Sequence, residues 1–162
     1  MENELKVVDI FIGTTLRGSA KGSGRAMYIM RTKRKNGSDY EAAPQIVEYD
    51  NTTESESVLR AIRDALQRLH YACTVVIHTE CSNVAAAITQ HWPEKWQRND
   101  WKSAKGNPVK NAVLWEMLLQ DVEEGGHILL AEGEKHEYAE WMRFNMPLKR
   151  ALKDIFTEVP KI

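Results

Sequence analysis

The chain predicts a mixed α/β fold: a five-stranded mixed sheet with three antiparallel strands first and helices on both faces. Three observations predict it. Three runs with strand character come before any helical spacing and are separated by turn residues, so successive strands pair antiparallel. The spacing of apolar residues then changes to helical between Val58 and Leu69. The strands that follow are near-continuous apolar runs set between helices, the pattern of parallel strands buried inside a sheet. Three strands in succession exclude a simple doubly wound fold.

Each element has its own signal. "KVVDIFI" (6–12) is short, apolar and β-branched, and reads as a strand. "RGSAKGSG" (17–24) is a flexible turn; its glycines resemble a phosphate cradle, but "RAMYIMRTK" after it is a strand where a P-loop needs a helix. "NGSD" (36–39) is the next turn and "YEAAPQIVEY" (40–49) the third strand, with Pro44 marking an edge or a bulge. Thr53 and Glu56 form a capping box that opens a helix with Val58, Leu59, Ile62, Ala65, Leu66 and Leu69 inward. "ACTVVIHT" (72–79) is a buried strand and "SNVAAAITQHW" (82–92) a short helix. Asn107 and Pro108, as N-cap and first-turn residue, open a helix with Val109, Val113, Leu114, Met117 and Leu118 inward, stopped by Gly125 and Gly126. "HILLA" (127–131) is the fifth strand, and a last helix, or two broken at Pro147, runs from about Glu137 to Phe156.

Composition bounds the function. A chain of 162 residues with 43% hydrophobic content supports one domain over residues 1–162 with a substantial core. The net charge of −1 excludes a polycation, so attraction to nucleic acid must come from local patches. Cys73 and Cys81 make neither a disulfide framework nor a zinc motif, and the N-terminus has no basic start followed by an apolar signal core. No apolar run reaches the roughly 18 residues of a membrane span. These features point to a cytoplasmic chain with no membrane association, and a monomer is the expected state.

The informative stretch is "HTECSNVAAAITQHWPEKWQRNDWKSAKGNPVKNAVLW" (78–115). Its second half is basic, interleaves tryptophans with lysines, and holds no acid between Asp100 and Glu116. Together with "DIFIGTT" (9–15) and the order of elements, it resembles the ribonuclease H family, and ribonuclease HI in particular. Trp96, Trp101, Lys102, Pro108, Val109, Lys110, Asn111, Leu114 and Trp115 fall where the family pattern places them, with one extra residue near His91–Lys95. The resemblance implies the ribonuclease H-like fold and a nuclease cutting the RNA strand of an RNA/DNA hybrid. It also implies two divalent cations, Mg2+ or Mn2+, held by four carboxylates, with a basic protrusion gripping the duplex. Two cations about 3.5–4 Å apart need that many hard oxygen ligands.

Set against this pattern, the carboxylates are incomplete. The first family acid, at the end of strand one, falls on Gly13. Asp9 shares its face but lies four residues upstream, roughly 13 Å away, too far to replace it. The second, at the start of the first long helix, is best matched by Glu56 and next by Glu54; without a gap it falls on Ser57 or Val58. Glu56 has an alternative role in the capping box. The third is Glu80, a Glu in place of Asp. The fourth is Glu137 or Glu140, after a loop shorter than usual, with His136 resembling the loop histidine. Glu80, Glu56, Glu137, Glu140 and His136 are the candidate catalytic residues, with Glu80 and Glu56 a residual metal pair.

The basic surface is better kept. Arg17, Lys21, Arg25, Arg31, Lys33, Arg34 and Lys35 precede the first helix, and Lys95, Arg98, Lys102, Lys105 and Lys110 follow the central strand. Trp96, Arg98, Trp101, Lys102, Lys105, Lys110 and Asn111 are the candidate nucleic-acid contacts, the tryptophans also serving as core of the protrusion. The favoured expectation is a ribonuclease H-like domain that binds RNA/DNA hybrid or double-stranded nucleic acid, with cleavage weak or lost and no metal needed. The alternatives are an active Mg2+- or Mn2+-dependent hybrid nuclease, and a protein-interaction module on the same fold.

Overall fold

The structure is a computed structural model and describes residues 4–146. Its elements are β1 (Lys6–Thr14), β2 (Gly22–Lys33), β3 (Asp39–Glu41), β4 (Gln45–Thr52), α1 (Glu54–Leu66), β5 (Cys73–Thr79), α2 (Ser82–Thr89), α3 (Trp92–Arg98), α4 (Ala112–Gly125), β6 (Ile128–Glu132) and α5 (Ala139–Asn145). The sheet order is β3-β2-β1-β5-β6, with β4 also on β2. β2 pairs antiparallel with β1, β3 and β4, whereas β1–β5 and β5–β6 are parallel. This is the mixed sheet expected from three early strands followed by helix-connected ones.

The third expected strand is divided, giving six strands rather than five. Proline has no N–H to give the ladder. Ala42 still donates to the Met30 carbonyl at 2.9 Å, and pairing resumes at Gln45 opposite Tyr28. From Glu41 to Gln45 the chain takes four steps while β2 takes three, from Arg31 to Tyr28. The surplus residue makes the Pro44 irregularity a bulge on an edge strand.

Alternation along β1 sends its side chains to two cores. Ile10 and Ile12 join Tyr28, Val75, Ile77 and the inner stripe of α1 on one face. Phe11 joins Met27, Ile29, Tyr138, Met142 and Met146 under α5 on the other. The α1 stripe is buried over Val58, Leu59, Ile62, Ala65 and Leu66, whereas Leu69 lies past the end of the helix and is half-buried. Thr53 caps the helix by accepting from the Glu56 N–H at 3.2 Å, while the Glu56 carboxylate turns along the helix to Arg60. Two acids in the first turn suit the positive end of the helix dipole.

The short helix expected over 82–92 ends at Thr89, and a second, α3, starts after His91, which has a left-handed φ of 58°. The next helix begins later than Asn107 and Pro108 suggested. Residues 103–107 close a loop instead, with Ser103 N–H donating to the Asn107 carbonyl at 2.8 Å and Gly106 at φ +84°. Lys102 and Pro108 form an isolated bridge, and α4 starts at Ala112 behind a left-handed Asn111. That shift turns the helix: Val113 is 69% and Met117 39% exposed, not inward, while Trp115 and Leu118 are buried. Gly126, at φ +69°, stops it as expected. The final helix is seen as α5; its expected continuation beyond Met146 lies outside the described residues. No helix among the described residues is long and apolar enough to cross a membrane.

Candidate functional site

β1 and β5 lie side by side in parallel register, and their pairing ends with Ile12 opposite Thr79. The residues just past that pair, Gly13 and Glu80, therefore share one cleft. Thr14, Arg17, Glu54 and Arg143 line it with them. On the α1 side, the hydroxyls of Thr14 and Ser57 meet at 2.8 Å, and Ser57 donates to the Glu54 carbonyl at 2.8 Å. Ser57 thus stands beside the end of β1, at one of the two positions that an ungapped alignment gives the second acid. Arg17 Nη1 donates to the carbonyls of Thr14 and Leu16 at 2.8 and 2.7 Å, and Glu54 accepts from the Gly18 N–H at 3.0 Å.

The opposite wall is α5. Its Ala139, Met142, Arg143 and Met146 all reach the cleft, as spacings of three and four place them on one helical face. A Cβ on Gly13 would lie 2.9 Å from the Met142 sulfur and 3.0 Å from the Met146 methyl, so thioether side chains fill the space an Asp would need. Arg143 Nη2 donates to both Glu80 oxygens, at 2.9 and 3.3 Å.

The remaining candidate acids are not brought to this cleft. Glu56 pairs with Arg60 at 2.7 Å and lines a different groove. Glu137 pairs with Arg31 at 2.7 Å, and Glu140 with Lys135, whose ammonium holds that carboxyl below its ordinary range. Asp9 meets His78 at 2.8 Å, far down β1. His136 donates from Nε2 to the Ile12 carbonyl at 2.9 Å and accepts at Nδ1 from the Tyr138 N–H. Both ring nitrogens are thereby used by a neutral imidazole, and burial pushes its pKa below the ordinary 6.5. Among the described residues no three His, Cys, Asp or Glu side chains converge as metal ligands. Two carboxylates, Glu80 bound to Arg143 and Glu54 accepting from the Gly18 N–H, opposite a glycine, do not fit the pair of cations that the resemblance implies. Sequence reasoning missed Arg143, Met142 and Met146; their shared face was the available signal.

The basic surface is sorted by pairing. Arg25, Arg31 and Lys33 are held by Glu48, Glu137 and Asp39. Arg98, Lys102, Lys105 and Lys110 are exposed and take part in no ion pair among the described residues. α3 and the loop after it raise them on a protrusion. Trp96 sits between Trp92 and Trp115, ring centres 6.1 Å from each, and Trp101 is half-buried, so the tryptophans build the protrusion's interior. A groove of about 780 Å³ runs from this protrusion to the start of α1, with Lys21, Trp96, Lys110 and Asn111 in its walls.

Comparison with known proteins places this geometry. The RNase H family profile matches residues 9–131. Ribonuclease H of Thermoanaerobacter sp. (strain X514) is 31% identical over 121 residues, 74% of this chain and 73% of that one. Ribonuclease H of Caldicellulosiruptor saccharolyticus is 39% identical over 71 residues, 44% of this chain and 49% of that one. Among solved structures, LC9-RNase H1, a type 1 RNase H with the type 2 active-site motif, superposes with a TM-score of 0.70 at 18% identity, covering 91% of this chain and 73% of that one. The foamy viral protease-reverse transcriptase in complex with RNA/DNA hybrid does so with 0.64 at 13%, covering 95% of this chain and 20% of that one.

Proposed function

The chain belongs to the ribonuclease H family, and from that membership we propose that it binds RNA/DNA hybrid or double-stranded nucleic acid with two-metal cleavage weak or lost. The observation that carries the reading is the contrast between its two surfaces. Arg98, Lys102, Lys105 and Lys110, four of the protrusion's exposed cations, have no acidic partner among the described residues, and a groove with Lys21, Lys110 and Asn111 leads from them. Such cations neutralise phosphates and release counterions. We assign to Asn111, in the wall of that groove, hydrogen bonds to sugar or base edges, where a hybrid exposes 2′-hydroxyls. At the end of β1, by contrast, Gly13 lies under two methionines, and Glu80 is bound to Arg143.

The test is a titration of a short labelled hybrid at several salt concentrations, beside a cleavage assay with Mg2+ and with Mn2+. If the four cations each meet one phosphate, the logarithmic salt slope is about −3.6, and each of Lys102→Ala and Lys110→Ala makes it shallower by about 0.9. Weak cleavage or none is expected. Cleavage that disappears in Glu80→Gln establishes instead the active nuclease, the reading favoured by relatives named Ribonuclease H. Absence of both binding and cleavage leaves a protein-interaction module.

A further inference from the structure

We infer that Arg143 is the built-in counter-charge of the cleft, standing against Glu80 where a divalent cation would otherwise be needed, so that a nucleic-acid backbone passes the cleft without metal. The inference rests on the proposed nucleic-acid binding and adds to it the electrostatics of one site.

Charge balance is the first argument. Among the described residues, the charged side chains lining the cleft are Arg17, Arg143, Glu54 and Glu80, two of each sign. A pair of divalent cations needs a strongly negative site to offset their mutual repulsion, whereas a neutral one offers no such compensation. The same neutrality removes the repulsion that an unmatched carboxylate would exert on a passing phosphate.

Geometry is the second. Arg143 approaches through Nη2 alone, which meets both Glu80 oxygens at 2.9 and 3.3 Å. Its Nη1 and Nε hold no bond among the described residues, and the side chain is half-exposed. A guanidinium presents five donors in a rigid fork, so it can hold a carboxylate at one edge and a phosphate oxygen at another. Packing is the third. α5 is fixed over the sheet by Met142 and Met146 in a core shared with Phe11, and that seat brings Arg143 to Glu80.

The experiment compares wild type, Arg143→Gln, Arg143→Lys and Arg143→Gln/Glu80→Gln, each first checked for an unchanged thermal transition. Hybrid affinity is measured in chelator and in Mg2+ at matched ionic strength. Wild type is expected to bind equally, within about twofold, in both conditions. Arg143→Gln is expected to lose about tenfold in chelator, the size of one charge-assisted contact, and to recover in Mg2+. Arg143→Lys keeps metal-independent binding, and the double variant recovers in chelator. A second readout needs no nucleic acid: titration with Mn2+ alone, followed by line broadening of the Gly13, Thr79 and Glu80 amides. Broadening is expected in Arg143→Gln and absent from wild type and the double variant. Binding by wild type that requires Mg2+, Arg143→Gln that binds like wild type in chelator, or Mn2+ broadening equal in wild type and Arg143→Gln overturns the inference. If wild type binds no hybrid in any condition, the proposed function falls, and the Mn2+ titration still decides the role of Arg143.

Discussion

Two residues on the α5 face of the sheet illustrate how much a single side chain decides. Gly13 has no room for a Cβ until Met142 or Met146 moves. Gly13→Asp is therefore expected to destabilise the fold by about 1–3 kcal/mol through overpacking, measured by urea unfolding, and without adding cleavage of hybrid in Mg2+. His136 is buried as a neutral ring with both nitrogens bonded, and its pKa lies below 6.5. The unfolded chain thus binds more protons than the folded one in the window below about 6.5, and stability rises with pH there. Acidification from pH 7 towards 5 is expected to destabilise the wild type with a slope of at most about 1.4 kcal/mol per pH unit from this group, and His136→Gln flattens the profile. That Gly13 stands at the end of β1 was legible in "DIFIGTT", because it needed only position along a strand. The methionine lid was not, because it depends on where another helix lands.

At the scale of elements, α1 and α4 behave differently for one reason. α1 carries its own start signal: Thr53 accepts from the third residue on, and acids follow in the first turn. Thr53→Ala is expected to cost about 1 kcal/mol in thermal or urea unfolding. The Asn107-Pro108 pair looked like a similar signal, but Ser103, Asn107 and Gly106 close a loop in which those backbone groups are already used. The start moved to Ala112, Val113 and Met117 left the inward stripe, Trp115 entered it and Leu118 stayed in it as expected. Leu118→Ala is expected to cost about 2–5 kcal/mol, whereas Val113→Ala stays within about 0.5 kcal/mol. β3 and β4 show the converse case: Pro44 announced an edge or a bulge in the sequence, since a missing N–H acts wherever the chain goes.

Over the whole molecule, the sheet separates two tasks between its faces and ends. α1 and α4 cover one face and are tied by Arg63 to Asp121 at 2.7 Å; α5 covers part of the other. The protrusion's Arg98, Lys102, Lys105 and Lys110 take part in no ion pair among the described residues, so raising salt is expected to weaken hybrid binding while leaving the thermal transition of the free protein nearly unchanged. The antiparallel-then-parallel strand pattern, the α1 stripe, the basic stretch and the Pro44 irregularity were readable from the chain alone. Each follows from local properties of the chain: a period of 2 or 3.6, an absent N–H, a run of like charges. What the tertiary structure alone decided was pairing between distant residues. It gave Glu80 to Arg143, 63 positions away, sent Glu56 and Glu137 to Arg60 and Arg31, and put two methionines over Gly13. Such pairings are set by how helices seat on a twisted sheet, and no spacing along a chain encodes that distance.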